Sequence, residues 1–221
     1  MAQKLGQFLL SIFHNEYIAT IFVSMFPLIE LKGAIPIGTG SFNIPLLLTA
    51  LLAYIGSTII SALLFFLLIP IFNLLKKIGF IRKLVEKVEG MFKKKADKIV
   101  EKTEGSSEKE AKRIMIRSLF IFVAVPFPVT GVWTGTAIAV FLGLKFRESV
   151  LPIALGNLIA GAIITFLTFI AKDYVDIIIY VLFALAIIML IITVIKVILS
   201  KPDSQSQAQL SDASKEQEKE E

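Results

Sequence analysis

The chain has no cysteine, one histidine and one tryptophan among its 221 residues. Without cysteine there is no disulfide framework and no thiolate nucleophile or ligand. His14 has no second histidine to share a metal with, and reads as an interfacial residue beside the first apolar segment. Neither His-Glu-x-x-His nor Gly-x-Ser-x-Gly occurs, and the apolar runs hold no paired aspartates. Those absences argue against an intramembrane enzyme, and no cofactor or metal is expected.

Charge is missing too, over long stretches. Residues 33–75, 118–144, 149–171 and 177–195 carry none, and a helix needs about 20 residues to cross the hydrocarbon. Hydrophobic residues make up 56% of the chain and mean hydropathy is +0.79. The globular norm is about 45–50% apolar. This is the composition of an integral membrane protein.

What charge there is lies in blocks. Between Asn73 and Arg117 stand 14 Lys or Arg against 7 Asp or Glu, an excess of +7 that leaves −2 for the rest of a chain whose net charge is +5. By the positive-inside rule the 73–117 loop belongs in the cytoplasm. Lys145 and Arg147 make a second short basic connection, and Lys172, Asp173 and Asp176 a mildly acidic one that favours the outside. Lys196 and Lys201 return the chain, with its tail, to the cytoplasm. Segment 118–144 therefore has both ends on one side, which suits a re-entrant hairpin better than a crossing. Its middle, Pro126-Phe-Pro128-Val-Thr130-Gly131, agrees, since proline inside a helix costs about 3 kcal/mol. A proline-kinked span is the alternative. Two half-helices follow, Ser118 to Val125 and Val132 to about Leu144. On the second, Gly131, Gly135, Ala139 and Gly143 recur every four residues and allow close packing.

The one carboxylate inside the apolar bulk is Glu30. Thirteen uncharged residues, Tyr17 to Ile29, precede it, and after Lys32 the next charge is Lys76. Two such charges cost about 2.5–3.5 kcal/mol each at the membrane centre on insertion scales. Gly33, Pro36, Gly38 and Gly40 make a continuous helix through this stretch unfavourable. Broken backbone at that depth needs protein or water around it. Asn43 and Pro45 read as cap and first turn of a span over 46–72, and Ser149 and Pro152 as the start of another over 150–171.

The expected fold is all-α integral membrane, multi-pass in the cell membrane. It comprises hairpin 17–43, span 46–72, basic loop 73–117, hairpin 118–144, span 150–171 and an additional C-terminal span 177–195. Charge and punctuation make this an inverted repeat of re-entrant hairpin plus transmembrane helix, a transporter design. Residues 1–199 form the membrane domain, and the Ser-, Gln- and Glu-rich tail 200–221 is expected to be disordered. In the loop, Ile81, Leu84, Val85, Val88 and Met91 or Phe92 share a helical face, suited to an anionic leaflet or to pairing near Ala111. Mixed charge and a lack of interleaved aromatics exclude nucleic acid as a partner.

Glu30-Leu-Lys-Gly-Ala-Ile-Pro36 and Pro126-Phe-Pro-Val-Thr-Gly-Val-Trp-Thr-Gly135, in that order, resemble the two blocks of the small multidrug export protein family. That family resembles, more distantly, DedA and VTT-domain membrane proteins with two opposed re-entrant hairpins. The likeness extends over about 15–195. Lys32 stands where the family usually has arginine, replacing a bidentate fork by a point charge, and Val129 where it usually has glycine. The resemblance implies a small-molecule exporter, with a DedA-like lipid or polyprenyl-phosphate translocase or scramblase as the alternative. Membrane lipids and a small-molecule or lipid substrate are the expected partners, and a homo-oligomer is left open.

The substrate- or ion-binding set is Glu30, Lys32, Gly33, Pro36, Arg117, Pro126, Pro128, Thr130, Gly131, Trp133 and Thr134. A membrane carboxylate can exchange a proton or hold a cation. Lys32 and half-helix N-termini after Gly40 and Gly131 favour an anion. Counted by groups the anion leads, whereas the family's name points to drug export. A structural Glu30–Lys32 ion pair is the plainer reading of the same residues, and packing or interfacial anchoring that of Trp133.

Overall fold

The computed structural model describes residues 8, 10–27, 29–127 and 130–171, and scattered positions between 177 and 195; of 80, 81, 83 and 84 it describes the backbone alone. The chain divides into two compact units, Met1–Met189 and Leu190–Glu221, and all the helices below belong to the first. The expected span 177–195 lies mostly, and the tail 200–221 wholly, outside the described residues.

Every regular element among the described residues is helical. In chain order they are α1 (Glu16–Met25), α2 (Glu30–Gly40), α3 (Leu46–Lys76), α4 (Gly79–Val100), a 3-10 turn (Glu101–Thr103), α5 (Glu108–Ala124), α6 (Val132–Phe141) and α7 (Phe146–Ile170). Two of them, α3 and α7, are long and apolar enough to cross a membrane. At about 1.5 Å per residue they rise about 46 and 37 Å, against about 30 Å of hydrocarbon.

Both long helices are built inside out. Leu47, Leu51, Ile55, Ile59, Leu63 and Phe66 form one exposed stripe along α3. The inward stripe is small or polar: Thr49, Ala53, Gly56, Ser57 and Ser61. On α7, Leu151, Leu155, Leu158 and Phe166 face out, while Ser149, Gly156, Asn157, Ala160 and Gly161 face in. Lipid tails reward apolar exposure, and small inward residues let backbones approach. A Cβ on Gly56 would strike the Ile21 carbonyl oxygen of α1, and one on Gly156 would sit 2.7 Å from the Phe120 carbonyl oxygen of α5.

Several boundaries differ from those the sequence suggests. Residues Glu30–Gly40 form one continuous helix with Pro36 inside it. The break comes earlier, at Phe26–Ile29. Neighbouring helices enclose α2 so fully that eight of its first nine residues after Glu30 are buried or nearly so, which offsets the bond that Pro36 cannot make. Asn43 does not cap α3. Its φ is +55° in the connection, and Pro45 stands at the cap.

α7 begins at Phe146 rather than at Ser149, because the Glu148 carboxylate reaches back to accept the Lys145 N–H at 3.1 Å. Ser149 Oγ instead donates to the Lys145 carbonyl. α5 starts ten residues before Ser118, where Glu110 accepts from both the N–H and the hydroxyl of Ser107 at 3.1 and 2.8 Å. α6 stops at Phe141 in a Schellman ending. Gly143 takes φ +68°, and the Gly143 and Leu144 N–H groups donate to the Val140 and Ala139 carbonyls,. Gly143 thus ends the helix, while Gly135 packs on Val123.

The amphipathic stretch is α4, and its C-terminal half meets protein. Ala96 and Ile99 cluster with Ile138 of α6, against Met115 and Phe122 of α5.

Two expectations test this framework. Gly156→Ala should cost about 1–3 kcal/mol through overpacking on a backbone carbonyl. Gly90→Ala, where a Cβ meets nothing within 4 Å, should be neutral or stabilising by up to about 1 kcal/mol; thermal unfolding in detergent reads both. The Ser107 hydroxyl, then its N–H, hold Glu110 below the ordinary carboxylate value of 4.5. The capping contribution should therefore be present above the unfolded-state value and lost as pH falls through the lowered one. A carboxyl-carbon NMR titration should show this, with Ser107→Ala moving Glu110 back up.

Candidate functional site at the meeting of two helical turns

α1 and α2 are joined by a tight turn around Pro27. The Ile29 and Glu30 N–H groups both donate to the Phe26 carbonyl, at 3.2 and 2.8 Å. Glu30 pays for this turn with a left-handed backbone, φ +48°. That conformation costs a non-glycine residue about 1–2 kcal/mol. It persists because the carboxylate is held elsewhere.

α5 and α6 are joined by a second turn, Val125–Gly131, which contains Pro126. Thr130 knits it, its Oγ1 donating to the Val125 and Phe127 carbonyls at 2.7 and 2.9 Å. Pro128 and Val129 lie outside the described residues. Gly131 stands extended at the cap and α6 starts at Val132.

The two turns interlock through charged and backbone groups. The Trp133 N–H, in the first turn of α6, donates to Glu30 Oε1 at 3.2 Å. The Trp133 indole Nε1 donates to the Met25 carbonyl at 3.0 Å. In the other direction, Lys32 Nζ donates to the Phe127 carbonyl at 2.8 Å and lies 3.4 Å from Glu30 Oε2. Glu30 and Lys32 are 7% and 6% exposed. A Cβ on residue 131 would fall on the Glu30 carboxyl group, so glycine there is what lets the acid reach the helix start. The carboxylate therefore stands at the positive end of the α6 dipole.

Residues 30–163, more than half of the chain, match the family described as "Putative small multi-drug export protein". The chain belongs to this family. The match begins at Glu30 and takes in both sequence blocks, Glu30–Pro36 and Pro126–Gly135. No curated protein and no solved structure matches the chain. Membership in an export family, together with two long apolar helices, makes membrane localisation plausible and points to a transporter rather than an enzyme.

The structure brings Glu30, Lys32, Gly131 and Trp133 of this family member into one cluster. Pro126 and Thr130 shape the second turn. Thr134 is buried one residue beyond Trp133. Gly33 and Pro36 belong to α2's packing, and a Cβ on Gly33 would meet Ile29 at 2.6 Å. Arg117 is exposed and seven residues before the end of α5, about 10 Å down the helix; it is not part of the cluster. The helix start facing the acid is that of α6 alone. After Gly40 the chain runs through a connection to Leu46.

A second polar layer escaped the sequence reading. Asn157 of α7, 3% exposed, donates from Nδ2 to Ser57 Oγ of α3 at 2.7 Å. Ser61 of α3 and Thr136 of α6 share a hydrogen bond of 2.9 Å. The signal was present: Asn157 is the sole side-chain amide in the uncharged run 149–171. Hydroxyls escape notice because helices absorb them by bonding to their own carbonyls, as Ser57 does to Ala53,.

Gly131→Ala should destabilise the protein by about 1–3 kcal/mol through collision with Glu30. In a Glu30→Ala background the same change should cost much less. A double-mutant cycle with a coupling of at least about 0.5 kcal/mol would establish the contact, and additive effects would refute it.

Proposed function

We propose that the chain is a multi-pass exporter of small amphipathic molecules, in which Glu30 exchanges a proton as the two helical turns part and rejoin. The observation that carries the reading is the setting of Glu30. It is a buried carboxylate held by another hairpin's backbone N–H and a buried ammonium, on a backbone that would relax if the grip were lost. Protonation removes the charge that both partners bind, so it weakens the clasp from both sides. A carboxylate of this kind, inside an otherwise uncharged run, is how secondary transporters couple to a gradient.

The expected inverted repeat of re-entrant hairpins gives this clasp a frame. Gly56 and Gly156 are each the eleventh residue of their long helix. Each meets a carbonyl four residues before the end of the preceding arm, Ile21 before Met25 and Phe120 before Ala124. Ser57 and Asn157, the next residues, bond to each other. That correspondence supports two copies of one unit packed about a shared crossing. The charge pattern supports opposite insertion, with 73–117 and 145–147 cytoplasmic.

A phosphate-bearing lipid is the competing passenger, since Lys32 and the α6 N-terminus both attract anions. Glu30 already occupies those two groups, which favours the exporter.

The test is transport in vesicles with an imposed proton gradient. Glu30→Gln should insert and fold yet lose gradient-driven export of a lipophilic cationic dye, while Lys32→Arg retains it. Retained export in Glu30→Gln, with misassembly confined to Glu30→Ala, would make Glu30 structural. Flipping of labelled phospholipid that depends on Lys32, without dye export, would establish the lipid reading instead.

A further inference from the structure

α6 runs from the Glu30 cluster to Phe141 in ten residues, and it is buried almost throughout. Val132 and Thr134 to Ala139 are all buried. Part of that enclosure comes from α3, α5 and α7. The rest comes from α4, which the proposed orientation puts on the cytoplasmic side. Ala96 and Ile99 of α4 press on Ile138, five residues and about 7.5 Å along the helix from Trp133.

Several of the contacts that hold the closure can be removed one at a time. Phe92 of α4 stacks on Phe72 of α3 and Phe141 of α6, each with centroids 6.4 Å apart. Lys76 of α3 pairs with Glu89 of α4. Lys95 lies over the Phe122 ring at 5.7 Å, and burial pushes its ammonium below the usual lysine value. The ends of α4 are jointed. Gly79 opens the helix with open space around it, and Gly105, at φ +76°, follows the 3-10 turn. A helix joined at two glycines, and held over a buried helix by side chains that include the Phe92 rings, the Lys76–Glu89 pair, the Lys95–Phe122 contact and the Ala96–Ile99–Ile138 cluster, can lift as a body.

We propose that α4 is a lid. It closes the cytoplasmic route between α3, α5 and α6 to the Glu30–Trp133 cluster, and lifting it lets water and the passenger reach that cluster. The identity of the passenger rests on the exporter reading; the opening of α4 does not.

The chain has no cysteine, so one introduced thiol reports without background. Ile138→Cys places it on α6, against Ala96 and Ile99 and so under the lid. Full-length protein in vesicles of known orientation is treated with a charged, membrane-impermeant maleimide from either side. Phe92→Ala, which removes two of the three pairings in the Phe72–Phe92–Phe141 cluster, should speed cytoplasmic labelling of residue 138 by at least about threefold, the scale of one or two lost aromatic pairs in an opening equilibrium. Labelling from the other side should not change. Phe66→Ala, which removes an exposed ring that stacks on Phe146 of α7, should leave both rates alone. Where Phe92→Ala does not insert, Glu89→Gln breaks the Lys76 pair and should speed cytoplasmic labelling in the same sense. Unchanged cytoplasmic labelling in the folded variant, or equal acceleration from both sides, would overturn the lid. Either labelling result holds whether or not Glu30→Gln abolishes export, so failure of the lid and failure of the exporter reading are separable.

Discussion

The fold turns on a single carboxylate that cannot be left alone in lipid. An isolated charge in a medium of low dielectric costs several kcal/mol, so Glu30 must be delivered to donors. The delivery shapes the chain on both sides of it. α1 has to end at Met25, the turn has to place residue 30 in a left-handed conformation, and Gly131 has to lack a side chain. The partner hairpin must present the start of α6 at that height. In return, Lys32 finds the carbonyl of Phe127, a backbone acceptor made available because α5 has already stopped.

Around this clasp the helices solve an ordinary packing problem in reversed polarity. Lipid covers the large apolar side chains, and the interior receives what is small or hydrogen-bonding. Glycines at positions 56 and 156 bring α3 and α7 against backbone carbonyls of α1 and α5. Ser57 with Asn157 and Ser61 with Thr136 then replace water for groups that would otherwise be stranded. Such bonds average only about 0.6 kcal/mol in membranes. Their value here lies in register: each fixes which turn of one helix faces which turn of the next.

The sequence showed the class of this protein and the oddity at its centre. Uncharged runs revealed the two helices long and apolar enough to cross a membrane, because a bilayer imposes length and composition on anything crossing it. Glu30 was conspicuous by its solitude. Hidden were the partners, since the Trp133 N–H, the Phe127 carbonyl and the Met25 carbonyl are backbone groups that every residue carries. Helix boundaries also went astray where a distant effect won. Glu148 and Glu110 cap helices earlier than the nearer serine or proline suggested, and enclosure by neighbours kept α2 intact through Pro36. The basic loop's apolar face was visible and left open to leaflet or protein; Phe92, Ala96 and Ile99 of α4 meet α3, α5 and α6, and the surface available to the helix depends on where α3 delivers the chain.

That delivery has a vertical consequence. At about 46 Å, α3 is as long as hydrocarbon and both headgroup layers together, about 40–45 Å. A tilt near the usual 20° shortens its reach by only a few ångströms. A helix of that length set across a bilayer would deliver the chain, and the start of α4, at the level of the headgroups or beyond. α3 is in effect a post whose height sets where the basic helix begins, and α6 and α5 are apolar surfaces that the helix then meets.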